Sequence, residues 1–254
     1  MKISCKCITH CRVHLLQEAL YSFLIQDYEG ERELIIVNDY PLQELVFDHP
    51  RVKIYNLKET FKTIGEKENY AIERCSGELI AVADDDDIEL SHHLSNIMKY
   101  WKEDTNLLHW NKAAYYNEPN ITAITGTGNS GIVYSKKAWE AIGKSPLENA
   151  GGDSTLVKRI KALSPDNVMY ASPPDNEVSH FYRWATPQSE LGLGNYHQSG
   201  QGTDTPDRKN IVQRNSEYIE SQRRLGKVPI GIIDLIPAWK RDYSQLLKDY
   251  INAH

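Results

Sequence analysis

The chain has 254 residues, 40% of them hydrophobic, enough for one large domain or two small ones with a real core. Lys and Arg number 29 against 35 Asp and Glu, and the net charge of -6 argues against a nucleic-acid partner gripped by a broad basic surface. No apolar run is long enough to cross a membrane as a helix.

Lys2 to Thr9 predicts a strand that begins almost at the first residue, without a signal-peptide apolar region, and this predicts a cytoplasmic protein. Three of the four cysteines, Cys5, Cys7 and Cys11, lie in that strand and its exit; the fourth is Cys75. A zinc site with His10 or His14 is one reading, but the spacing lacks the usual paired-Cys pattern. Cys5 and Cys7 fall on one face of a strand, and reduced structural thiols are the expectation. Leu15 to Gln26 has apolar residues at helical spacing. Glu33 to Val37 and Val52 to Tyr55 predict strands, with a turn at 38–41. Gly65 to Cys75 predicts a helix capped by glycine at Ser76-Gly77, and Leu79 to Ala83 the next strand. This alternation predicts a mostly parallel sheet with helices on its faces.

Farther on, Leu90 to Trp101 predicts a helix, and Leu107 to Tyr116, Ile121 to Thr125 and Gly131 to Ser135 predict strands. Helices follow at Lys136 to Ile142 and Ser154 to Leu163, then strands at Val168 to Ala171 and Glu177 to Tyr182. Residues 185–208, rich in Gly, Thr, Pro, Gln and Asp, predict a flexible, lid-like loop. The remainder, 209–254, predicts a helical extension with helices at Asn210 to Leu225 and Ala238 to Ile251.

Asp84-Asp85-Asp86-Asp87 directly follows the buried-strand pattern Leu79-Ile80-Ala81-Val82-Ala83. An acidic run is commonly a solvated turn. Fused to an apolar strand, however, four carboxylates repel one another unless positive charge sits among them. Hard oxygen ligands suit Mg²⁺, Mn²⁺ or Ca²⁺, and strand C-termini in parallel sheets are where ligands bind.

Taken in order, four segments resemble the GT-A-type glycosyltransferases, nearest the large family 2. They are Ile3 to Arg12, Glu33 to Asp39, Gly65 to Asn69 with Ser76 to Asp87, and Gly152-Asp153 before a helix. The resemblance covers about residues 2–183. It implies a GT-A (nucleotide-diphospho-sugar transferase) fold with a smaller acceptor-side sheet, the catalytic domain spanning 1–184. Residues 1–103 form its nucleotide half and 104–184 its acceptor half. It implies a UDP-sugar donor, Mn²⁺ or Mg²⁺ as cofactor, and a saccharide or other hydroxyl-bearing acceptor.

Carried onto this chain, the resemblance puts Thr9, Arg12 and Asp39 around the base. Asp39 accepts the uracil N3–H, a task for which an acceptor-only carboxylate is suited. Lys67 and Asn69 lie beside the donor. Asp84 lies toward base and ribose, Asp85 faces donor-sugar hydroxyls, Asp86 binds the cation, and Asp87 caps the next helix or orients its neighbours. His180 completes the metal sphere, with His197 as its rival. Asp153 is the general base, against the alternative of a helix N-cap. Glu68 departs from the family pattern, where a basic residue precedes the Asn at 69. Gly152 departs where an acid is common. Trp110, Trp139 and Trp184 are candidates for stacking on sugar rings, with Trp139 assigned to the core. The competing readings are retaining transfer on the same fold, a nucleotidyltransferase, and a non-catalytic sugar- or metal-binding module. A nucleotidyltransferase would need a Gly-rich basic loop, and Thr9-His10-Cys11-Arg12 is not one.

Overall fold

The computed structural model describes residues 1–126, 131–148, 151–183, 217 and 219–254. Elements follow in chain order: β1 (Ile3–Thr9), α1 (Val13–Leu24), β2 (Arg32–Asn38), β3 (Gln43–Val46), β4 (Val52–Asn56), α2 (Ile64–Arg74), β5 (Leu79–Val82), β6 (Ile88–Glu89) and α3 (His93–Tyr100). Then come β7 (Leu107–Trp110), β8 (Ala113–Asn117), β9 (Asn120–Thr125), β10 (Val133–Ser135), α4 (Lys136–Ala141), α5 (Gly152–Leu163), β11 (Val168–Ala171), β12 (His180–Arg183), β13 (Gly231–Asp234) and α6 (Tyr243–Ala253).

The main sheet runs β11-β7-β10-β5-β1-β2-β4. β1, β2, β4 and β5 are parallel, and β10 alone runs against its neighbours β5 and β7. β1 and β2 are buried on both faces because helices cover both. On one face, Leu16, Leu20 and Phe23 of α1 pack on Cys5, Cys7, Leu34 and Ile36. On the other, Ala71 and Ile72 of α2 and Leu156 and Ile160 of α5 pack on Ile35, Val37 and Ile80. Each buried Leu, Ile or Phe contributes roughly 1.5–3 kcal/mol. A second sheet, β6-β12-β8-β9, stands beside the first.

α2 begins with a reciprocal cap. The Thr63 hydroxyl accepts from Glu66 N at 3.1 Å, and Glu66 accepts from Thr63 N at 3.1 Å. At its other end the expected glycine cap is absent. Cys75 is extended, and Gly77 instead lies where a Cβ would come within 2.7 Å of Ser4 N. Gly77 is there for close approach to β1.

Leu107 to Tyr116 is two strands. The chain leaves the main sheet at Asn111, whose N–H donates to Ala171 O at 2.8 Å, and enters the second sheet as β8. Part of Glu177 to Tyr182 is a 3-10 turn at Asp175–Glu177 before β12. The C-terminal segment is not purely helical: β13 pairs in parallel with β3, and residues 219–224 and α6 are helical. α6 closes a third cluster, Tyr243 and Leu247 against Ile88, Tyr116 and Phe181. The 185–208 loop, Trp184 and His197 lie outside the described residues.

Candidate functional site

β1, β2 and β5 end together at one edge of the sheet, and their exits carry the chemistry. After β5, Asp85, Asp86 and Asp87 are each no more than 3% exposed. Positive charge does sit among them, and part of it is the chain's own. Arg12, on the β1–α1 link, donates through Nε to Asp85 Oδ2 at 3.1 Å and through Nη2 to Asp85 Oδ1. Its Nη1 donates to Asp86 Oδ2 at 2.8 Å. Arg12, expected beside the base, lies on the acidic turn. Burial pushes the Asp85 carboxyl up against the pull of Arg12, and Asp86 adds to the rise.

Asp87 faces the other way. It does not cap α3; its Oδ1 accepts from Arg183 N at 2.9 Å and so ties the turn to β12. Burial raises its pKa, with His180 opposing and Asp86 and Asp84 reinforcing. His180 Nδ1 is 2.7 Å from Glu89 Oε1, and its Nε2 is 3.6 Å from Asp87 Oδ2. Burial alone would lower the His180 pKa, but Glu89 and Asp87 carry it up to about 9. His93 Nδ1 closes the cluster, 2.9 Å from Glu89 Oε2 and 3.0 Å from Ser179 Oγ.

At the end of β2, Asp39 Oδ1 accepts from His10 Nδ1 at 2.8 Å and Lys67 Nζ at 2.6 Å, and Oδ2 from Phe61 N at 3.2 Å. Burial would raise its pKa; the His10 and Lys67 contacts win and hold it at about 2. Lys67 also donates to Thr9 O at 2.5 Å. Thr9, Asp39 and Lys67 therefore form one unit. Asn69 is not part of it. Its amide pairs in both directions with the Ser145 backbone, at 3.0 and 2.8 Å, clamping the 145–148 segment to α2.

Asp153 lies in the first turn of α5, exposed, behind a left-handed Gly151 at φ 73. It makes no N-cap; Gly151 holds that position without a side-chain bond. Trp110 and Trp139 are 2% exposed and belong to the core, so neither stacks on a sugar.

Two functional neighbours escaped sequence reasoning. Lys6 is 1% exposed within β1, and its Nζ donates to Glu68 Oε1 at 2.8 Å. That contact gives the acid at 68 a buried cation as its partner. Glu89 is the second, two residues past the acidic run on β6. A Lys at an inward strand position, and an acid flanked by His92-His93, were the available signals.

The sequence model of glycosyl transferase family 2 matches residues 7–141, more than half of the chain. The chain belongs to this family. It is a glycosyltransferase, and its mostly parallel sheet between helices is the GT-A arrangement expected from the sequence. Among solved structures it is similar to S. aureus TarS 1-349 in complex with UDP-GlcNAc, at 16% identity and a TM-score of 0.61. That match covers 100% of this chain and 72% of the other. It is also similar to the mannosyltransferase PcManGT from Pyrobaculum calidifontis in complex with GDP-Man and Mn²⁺, at 13% identity and a TM-score of 0.55. There the shares are 99% and 79%. At such identities the likeness is one of fold. No curated protein sequence matches this glycosyltransferase. Among the described residues, no helix is long and apolar enough to cross a membrane.

Proposed function

We propose that this glycosyltransferase moves a sugar from a UDP-sugar to an acceptor hydroxyl, with inversion and with Mn²⁺ or Mg²⁺, in the cytoplasm. The observation that carries this reading is the set of buried carboxylates, Asp85 to Asp87, at the end of β5, beside the Thr9, Asp39 and Lys67 unit. Neutral partners would suffice if the turn were merely structural; three adjacent buried acids, with Arg12 against two of them, suit a cation.

The donor set fits a hard ion. Among the described residues no three His, Cys, Asp or Glu side chains gather as a ready cage. Such a cage is not required, because Mg²⁺-like ions take one or two protein carboxylates and fill their spheres with substrate phosphate and water. Asp86 would hold the ion, with His180 as imidazole ligand. Glu89 on Nδ1 would fix the His180 ring, as carboxylates do behind metal-bound histidines. When bound, the ion supplies charge stabilisation to the departing diphosphate.

The chain's own residues do the rest. Asp39, ionised at neutral pH, has three of about four lone-pair sites taken and one left for the base N3–H. Lys67 spends two donors on Asp39 and Thr9 and has a third for the donor. Asp84 lies toward base and ribose; Asp85, assigned to the sugar hydroxyls, has both oxygens on Arg12 in the free enzyme. Asp153 takes the proton of the acceptor hydroxyl as its oxygen attacks the anomeric carbon and the bond to the diphosphate breaks. Residues 1–184 form the catalytic domain and 209–254 an extension of it.

Calorimetry with UDP, with and without Mn²⁺, tests the reading. Asp86→Ala should abolish Mn²⁺-linked UDP binding. Asp153→Asn should keep UDP binding and lose roughly 10²–10⁴-fold in turnover, the usual worth of a general base. Proton NMR of the product reads the anomeric outcome. UDP binding indifferent to Mn²⁺ would sink the metal, and a product of retained configuration would sink inversion.

A further inference from the structure

A buried ammonium lies under the one aspartate of the acidic run that is not itself buried. We propose that Lys6 is a positioning residue: held on one side by Glu68, it draws the Asp84 carboxylate toward β1 and fixes it to accept from a ribose hydroxyl of the nucleoside diphosphate. The proposal rests on the donor reading above and deepens it.

Three observations carry it. Lys6 is 1% exposed, and among the described residues its Nζ has one hydrogen-bond partner, Glu68 Oε1 at 2.8 Å. An ammonium has three donors, so two remain, and a buried cation in that state draws a further anion to itself. The sheet places Asp84 to be that anion. Lys6 lies opposite Val82 in the β1–β5 ladder, and Ala83 N donates to Lys6 O at 2.9 Å. Ile80 and Val82 pack on the α2 side, where Lys6 meets Glu68, whereas Ala81 and Ala83 pack on the α1 side. The alternation carries Asp84 to the α2 side, one step beyond Val82. Against burial, which lowers the Lys6 pKa, Glu68, Tyr134 and Asp84 raise it, so the charge of Asp84 is felt at Nζ. Finally, Asp84 is half-buried while Asp85, Asp86 and Asp87 are buried, so it is the member of the run that a ligand hydroxyl can reach.

Two carboxylates thus compete for one ammonium. A lysine head is a compact charge with rotatable donors and can bridge two acids. A carboxylate accepts at about four lone-pair sites, so Asp84 can take Lys6 and a ribose hydroxyl together. Without Lys6, repulsion from Asp85 and Asp86 turns Asp84 outward, and the ribose contact goes while the contacts to base and diphosphate stay. Without Glu68, Lys6 passes wholly to Asp84.

Calorimetry in excess Mn²⁺ tests this with UDP, 2′-deoxy-UDP and 3′-deoxy-UDP. The quantity read is the Kd of the weaker deoxy ligand divided by the Kd of UDP. In wild type this ratio should be at least about tenfold, the worth of a hydrogen bond to a charged group. In Asp84→Ala it should fall to within about threefold of unity. Lys6→Met combined with Glu68→Leu, an uncharged pair, should bring it equally low. Glu68→Ala should keep the wild-type ratio or exceed it, although it is the less stable protein. A merely structural pair gives the reverse order: Glu68→Ala impaired, the uncharged pair normal. A wild-type ratio in the uncharged pair or in Asp84→Ala would overturn the proposal. So would a ratio near unity in wild type, or in a cooperatively melting Glu68→Ala. If wild type does not bind UDP at all, the donor reading falls too; if it binds and discriminates, and the uncharged pair does the same, this proposal alone falls.

Discussion

Lys6 is nearly inaccessible, and Glu68 supplies its counter-charge from α2. Burial alone would lower the Lys6 pKa, yet Glu68, with Tyr134 and Asp84 beyond it, raises it. The ammonium is therefore held charged, close under the acidic turn. Removing Glu68 leaves that charge short of its partner. Glu68→Ala should cost about 2–3 kcal/mol, toward the low end for a broken buried pair because Glu68 is partly exposed. The double change Lys6→Met with Glu68→Leu should restore most of it, read as urea midpoints in a double-mutant cycle. A Glu68→Ala midpoint equal to wild type would mean that Asp84 alone suffices for Lys6. At this scale the acids of the site were legible and their pairing with cations was not. Four adjacent aspartates announce a need for positive charge. Which cation answers is decided by contacts 73 and 74 residues apart for Arg12 and 62 for Lys6. Local pattern holds no record of such distances.

Among elements, the alternation of β1 to β5 with α1 and α2 was readable because apolar runs and helical spacing are local. β13 was not readable. It is four residues long, and it pairs with an equally short β3 almost the whole chain away. Gln43 Nε2 donating to Pro229 O at 2.7 Å marks the same join. α6 is attached by a buried polar knot. Tyr243 OH donates to Glu18 Oε1 at 2.7 Å, and Arg183 Nη2 donates to Glu18 Oε2 at 3.1 Å and to Tyr243 OH at 3.2 Å. Since Arg183 N also binds Asp87, the knot joins α1, β12, α6 and the acidic turn. Tyr243→Phe keeps the ring among Tyr116, Phe181 and Trp239 and removes only the hydroxyl. It should destabilise by about 1–3 kcal/mol, the cost of leaving buried polar partners short of a bond. Chemical denaturation measures this, and an unchanged midpoint would show that Glu18 and Arg183 satisfy one another unaided.

Across the whole molecule, Lys67 on α2 and Asp153 on α5 sit on different helices, and the 145–148 segment links the two helices. Asn69 grips Ser145, Gly65 N donates to Glu148 O at 3.2 Å, and α5 starts four residues later. Gly65 makes the approach possible. A Cβ there would lie 1.8 Å from Pro146 O, an impossible contact with backbone rather than with a side chain that can turn aside. Gly65→Ala must therefore push 145–148 away from α2, and overpacking of this kind costs about 1–3 kcal/mol. Functionally the change should separate two quantities. On the proposed reading UDP affinity depends on Asp39, Lys67 and the acidic turn, and it should stay within about threefold of wild type. If Asp153 is the base, as proposed, transfer depends on where α5 holds it; misplacing a reacting group by about 1 Å costs on the order of 10²-fold. Calorimetry for UDP and steady-state kinetics for transfer, on the same preparation, check the split. If both fall together, α2 carries the defect to the donor side. If neither falls, the 145–148 link does not position the base.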